Sequence, residues 1–95
     1  MTMKDAYRKK MQAQLDEWSA EIHKLKAKAT KMEADAQIRS MKEIDDLRAK
    51  RDAAADKLAK LERAGDDAWE DLKTGVESAW DALASSVKLA SARFK

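Results

Sequence analysis

The chain has no cysteine, no proline and only two glycines in 95 residues. Without cysteine there can be no disulfides and no thiolate metal sites, which fits a reducing compartment and leads us to expect a cytoplasmic protein. Without proline, and with glycine only at Gly65 and Gly75, little in the sequence interrupts a helix. Aromatic residues make up 5%, so a compact core built by one copy alone would be thin. Small helical chains commonly offset such a deficit by oligomerising. No uncharged apolar run approaches the roughly 20 residues of a membrane span. Met1-Thr2-Met3-Lys4-Asp5 leads directly into charged sequence, with no apolar segment of a signal peptide.

What the chain has in quantity is charge, 40% of its residues, with a net value of only +2. Residues 1–65 carry 16 basic and 12 acidic side chains, and residues 66–95 carry 4 and 6. That asymmetry favours antiparallel packing of the two parts. It is too mild and too mixed in sign to mark a nucleic-acid surface. The length allows a single domain.

From Leu58 to Phe94 one pattern recurs every eleven residues. Leu58, Trp69 and Trp80 share one position, and Leu61, Leu72, Leu83 and Phe94 the next. Gly65, Val76 and Val87 follow, then Ala68, Ala79 and Ala90. Eleven residues make about three helical turns, so these positions form a nearly straight stripe that must be buried on something.

Earlier in the chain the spacing alternates four and three, through Met11, Leu15, Trp18, Ile22, Leu25, Ala29, Met32 and Ala36. This is a heptad seam over residues 11–36, the mark of a left-handed coiled coil. Asp5–Lys9, Asp35–Arg39, Asp46–Lys50 and Asp56–Lys60 stand at the favourable i,i+4 spacing. The phase then changes over residues 37–47, where Ile38, Met41, Ile44 and Leu47 lie three apart and turn the stripe around the helix. Every residue there is compatible with helix, so the spacing predicts a change of coiled-coil winding, with a hinge as the alternative.

Two readings compete at Arg63-Ala64-Gly65-Asp66-Asp67. Glycine suits the left-handed residue past a helix end, and Asp67 with Glu70 resembles a capping box. Yet Gly65 also holds its place in the eleven-residue pattern, so the helix could run through. The turn is the favoured reading. It divides the chain into a long coiled-coil part over 1–64 and a second part over 65–95, with helices over about 4–64 and 67–94 that are about 90 Å and 42 Å long. Helix two would cover only the second half of helix one and leave the N-terminal heptads to a partner. Gly75 beside Val76 would permit close approach of the helices.

Candidate chemistry is sparse. His23 has no second ligand or nucleophile near it in sequence, and flanks the seam. Asp45-Asp46 and Asp66-Asp67-Glu70-Asp71 lack the spacing of a cation-binding loop and suit helix starts and solubility. Ser78, Ser85, Ser86 and Ser91 have no nucleophile elbow. The Arg8-Lys9-Lys10 triplet and Lys24, Lys26, Lys28 and Lys31 are diluted by acidic neighbours and have no interleaved aromatics to stack on bases. Trp18, Trp69 and Trp80 read as core anchors, with a membrane-interface helix as the alternative.

Gln14-Leu15-Asp16-Glu17-Trp18-Ser19-Ala20-Glu21-Ile22, Leu47-Arg48-Ala49-Lys50-Arg51-Asp52, Ala68-Trp69-Glu70-Asp71-Leu72-Lys73 and Ala79-Trp80-Asp81-Ala82-Leu83 together carry a resemblance. In these stretches the chain resembles small bacterial coiled-coil proteins without an assigned activity, some associated with stress responses. The resemblance brings no catalytic motif. In its periodicity alone, the eleven-residue repeat is similar to apolipoprotein-like and desiccation-protective helices.

The expected architecture is all-α, an elongated coiled coil forming a helical hairpin with unequal arms that self-associates. Its expected interface comprises Met11, Leu15, Trp18, Ile22, Leu25 and Met32 on the first arm. Leu58, Leu61, Trp69, Leu72, Val76, Trp80, Leu83, Val87 and Phe94 continue it. The expected function is a non-enzymatic structural or interaction protein, or an accessory subunit of a larger assembly, without cofactor, metal or small-molecule substrate. Its partners would be copies of itself or partner helices, not nucleic acid. The alternative is a peripheral membrane or lipid-binding helix of the stress-protective kind.

Overall fold

The 4/3 spacing from Met11 does build a helix, but that helix ends halfway along the expected rod. The computed structural model describes residues 3–94, so the expected bounds at 1 and 95 and the leader reading at Met1-Thr2 lie outside the described residues. Three helices follow one another: α1 (Met3–Ala29), α2 (Ala34–Arg63) and α3 (Asp66–Arg93). They contain 27, 30 and 28 residues. The unequal two-helix hairpin is therefore corrected to an elongated three-helix bundle with nearly equal arms, 51 × 21 × 17 Å overall.

The break falls at Thr30–Glu33, in sequence that contains neither glycine nor proline. The last turn of α1 tightens: the Lys31 and Met32 amides donate to the carbonyls of Lys28 and Ala29, three residues back. The Thr30 hydroxyl donates to the Ala27 carbonyl at 2.7 Å, turning toward local backbone as threonine at a helix end does. Glu33 is extended, with φ −64° and ψ 163°, and the ladder restarts with the Gln37 amide donating to its carbonyl. The charges agree with this break. Lys26 and Lys28 close α1 and Asp35 opens α2, each matching the helix dipole at its end.

Folding back at residue 30 covers the seam that a rod would have left in water. Met11, Leu15, Ile22, Leu25 and Ala29 are all buried within the one chain, Leu25 completely. The inference that the N-terminal heptads project without cover is thereby overturned, because α2 and α3 both reach them. Residues 37–47 are likewise not a change of winding. The buried line of α2 is a fresh heptad through Ile44, Leu47, Ala54, Leu58 and Leu61. Half-buried Gln37, Ser40 and Arg51 complete its spacing, and Ile38 is left 58% exposed.

The second turn lies where expected, at Ala64–Gly65, but by another geometry. Gly65 is the N-cap of α3 with φ −75°, not a left-handed residue closing α2. Asp67 falls inside the first turn of α3 and makes no capping box, because α3 starts at Asp66 and no side chain caps its first turn. Substituting alanine at Gly65 therefore does not report on backbone strain.

The topology is up-down-up. Arg8 meets Glu62 and Arg51 reaches Ser19, so α1 and α2 run antiparallel. Arg93 pairs with Glu43 and Lys50 with Ser86, which sets α3 antiparallel to α2. Lys4 pairs with Asp66 at the shared start of α1 and α3, which are parallel. α2 packs extensively on both neighbours, whereas the contact between α1 and α3 is narrower.

Gly75 sits within α3, where an added β-carbon would meet nothing within 4 Å, so no close helix approach depends on it. Gly75→Ala should stabilise the protein by about 1 kcal/mol through helix propensity alone. Thermal denaturation should register a rise of roughly 4–8 °C for a domain of this size. No gain would mean that the glycine serves a contact absent from this fold.

Candidate functional site

The residues expected to form an interface do come together, but inside the chain. Met11, Leu15, Ile22 and Leu25 from α1, Leu58 and Leu61 from α2, and Val76, Trp80, Leu83, Val87 and Phe94 form one buried cluster. Trp18, Met32, Trp69 and Leu72 pack against its edge, half-buried. Met32 closes the α1–α2 turn, where its sulfur accepts the Ser40 hydroxyl at 3.2 Å. Ile44, Leu47 and Ala54 complete the core from α2. No polar or charged side chain is buried among the described residues.

Two aromatic pairs span the narrow side between α1 and α3. Trp18 lies against Trp80 with ring centroids 6.2 Å apart and planes inclined at 59°. Tyr7 meets Trp69 edge-on at 5.7 Å and 72°. Both are tilted arrangements in which ring edges and faces complement one another. Tyr7 and Trp18 are eleven residues apart, as are Trp69 and Trp80, so the period of α3 is matched on the parallel α1. Tyr7 was not among the expected residues. The available signal was its position eleven residues before Trp18.

Cations flank the outer pair. Lys4 lies 5.2 Å from the Trp69 ring centroid, and Lys73 lies 5.2 Å from that of Tyr7. The Lys4 ammonium beside Asp66, through its hydrogen bond first and its charge second, holds that carboxyl below its ordinary range. Burial, then the Glu77 charge and a long 3.4 Å hydrogen bond to it, push the Tyr7 phenol up to about 12. An open groove of about 380 Å³ runs past Lys4, Tyr7, Arg8, Leu58, Leu61 and Trp69 at this end of the bundle.

Trp80 carries a cost with its benefit. Its side chain is 3% exposed, yet the indole Nε1 is buried without a hydrogen-bond partner. An unmet donor costs about 1–3 kcal/mol, which the burial of so large a ring offsets.

Elsewhere the charged groups stay outside. His23 is exposed beside the α1 seam, and Asp45, Asp46, Asp67, Glu70 and Asp71 are exposed on α2 and α3. No group of three or more histidine, cysteine, aspartate or glutamate side chains is placed to hold a metal ion among the described residues. No helix among them is long and apolar enough to cross a membrane. No family model matches this chain, and neither a curated protein nor a solved structure matches it.

Tyr7 is the single tyrosine of the chain, so its titration can be read directly from tyrosinate absorbance. The folded protein should titrate near 12 and the denatured chain near the ordinary 10. A phenol pKa raised by folding means that the native state holds its proton longer. Its contribution to stability is therefore complete below pH 10 and lost between about 10 and 12. Tyr7→Phe should remove this component of alkaline destabilisation. Trp80→Ala should cost about 3–5 kcal/mol, the range for emptying a core aromatic site. Trp69→Ala, at the half-exposed edge, should cost less than half as much in the same denaturant titration.

Proposed function

We propose that this chain is a non-enzymatic structural protein that works by helix association, with copies of itself as the first partner and helices of a larger assembly as the second. The observation that carries this reading is the heptad seam. Met11, Leu15, Ile22, Leu25 and Ala29 are spaced to receive ridges of another helix, and they are packed against helices with no polar side chain among them. Such a surface recognises a helix by shape and spacing, and a helix from a second chain can satisfy it as α2 and α3 do. The outward faces add alternating lysine, arginine, aspartate and glutamate, which set register and orientation more than affinity. A cytoplasmic setting fits the lack of cysteine.

A peripheral lipid-surface role of the stress-protective kind draws on a different observation. Tyr7 and Trp69, flanked by Lys4 and Lys73, lie at the end of the bundle where Met3 stands 90% exposed. Aromatic rings beside lysines suit a membrane interface. Against it, the same end carries Asp5, Glu62, Asp66 and Asp67, which an anionic surface repels. Association through helices is the better supported of the two.

Sedimentation equilibrium of the full chain should show an average mass that rises above the monomer with concentration. A monomer mass up to millimolar chain would end the self-association reading. Tryptophan emission should be blue-shifted without lipid and nearly unchanged by anionic vesicles. A large shift with vesicle flotation would favour the lipid-surface role instead.

A further inference from the structure

We propose that the partner copy is bound by exchange of α1: the Thr30–Glu33 turn straightens, α1 and α2 fuse into one helix, and α1 of each chain occupies the α2–α3 groove of the other. This rests on the self-association reading and specifies its mechanism.

Four observations converge on it. The first is the hinge. Among the described residues there is no positive-φ position, and Glu33 already has the φ of a helix at −64°. Its ψ of 163° must rotate to about −42° to continue one. Glu33 is the N-cap of α2 but its side chain makes no capping hydrogen bond, so none is lost on straightening. The bonds from Thr30, Lys31 and Met32 to the preceding turn are already helical in character.

The second is composition. Residues 3–63 contain neither glycine nor proline, so nothing intrinsic to the fused segment opposes a continuous helix. The α2–α3 turn differs, since glycine, a poor helix former, stands there as the extended N-cap Gly65, and the α2–α3 hairpin stays intact in the exchange.

The third is the seam. In a fused helix, Leu25, Ala29, Met32, Ala36, Ser40, Ile44 and Leu47 follow one another at steps of four, three, four, four, four and three. This is a heptad line in which three successive steps of four displace the repeat by one residue, a discontinuity that locally unwinds a coiled coil without ending it. Ala36 and Ser40, which carry the line across the hinge, are already half-buried.

The fourth is register. Arg8 meets Glu62, and Ser19 meets Arg51. Both pairs are symmetric about residue 35, so a two-fold axis beside Asp35, just past the hinge, reproduces each contact between two antiparallel fused helices. Trp18–Trp80 and Tyr7–Trp69 re-form between chains in the same way. The dimer therefore keeps the packing of the monomer and changes only the turn. Monomer and dimer then compete through effective concentration, which is in the millimolar range for short connections.

The test uses the full chain refolded at millimolar concentration, with spin or fluorescent labels at the exposed positions Lys10 and Lys60. In the monomer these labels lie on adjacent antiparallel helices, within roughly 20 Å. In an exchanged dimer they are 50 residues apart on one helix, about 75 Å, when the doubly labelled chain is diluted into unlabelled chain. Mixing chains labelled singly at Lys10 with chains labelled singly at Lys60 should restore the short distance. Ala34→Pro supplies the second arm. Proline is favoured at the first position of α2 and fits an extended residue before it, but it breaks the interior of a fused helix. With one such proline in each helix, the dissociation constant should rise by about four orders of magnitude, while the monomer keeps its helicity and melting temperature. Thr30→Ala should lower it several-fold. A dimer in which the doubly labelled chain keeps the short distance, or one that survives Ala34→Pro, overturns exchange and leaves self-association through outer faces. The absence of any dimer overturns both.

Discussion

The apolar seam of α1 has to be covered, and every other feature of the bundle follows from how the chain does it. Met11, Leu15, Ile22, Leu25 and Ala29 line one face of a helix about 40 Å long. Burying a large aliphatic side chain is worth about 1.5–3 kcal/mol, so leaving this row in water would forfeit much of the driving force available to a small domain. A turn of four residues sacrifices a few helical hydrogen bonds and brings α2 onto the seam. The second turn then lays α3 into the remaining gap. Local preference for helix at Thr30–Glu33 is weak beside that gain.

Once three helices share one core, their register needs specifying, and the ion pairs contribute little to it energetically. Lys4–Asp66, Arg8–Glu62 and Arg93–Glu43 include well-exposed partners, whose attraction is largely screened by solvent. Large side chains act more strongly. Trp18 on Trp80 and Tyr7 on Trp69 span the narrow side between α1 and α3, and a slip of one turn would part both pairs together. Ring size explains the economy: few aromatics are needed because each reaches across a gap that leucine would leave empty. The unpartnered Nε1 of Trp80 shows that packing outweighs hydrogen bonding at this position.

Much of this was legible in the residues. The apolar positions of α1 and α3 follow from period alone, and most residues named from those stripes lie in or against the core, whereas Gly65 and Ala68 at the start of α3 are exposed. The break before Asp66 was visible in Gly65 and the acidic residues after it. The break at Thr30 was not, because neither glycine nor proline marks it. Its only local traces are one threonine and a change from lysines to acidic residues, which read equally well as a solvated coiled-coil face. The line of α2 was obscured because Gln37, Ser40 and Arg51 occupy three of its positions, and the eye follows Ile38 and Met41 instead.

The sequence by itself determined that this chain is helical, which residues form most of the apolar stripes of α1 and α3, and where one of its two turns falls. Those are properties of neighbouring residues: propensity, spacing and charge act over a turn or two, and their sum can be read without knowing what packs on what. The number of helices, their up-down-up order and the intramolecular cover of the α1 seam were decided by tertiary structure. They depend on the free energy of burying one stripe on another, which exceeds the local cost of a turn and can place it wherever the stripes then align.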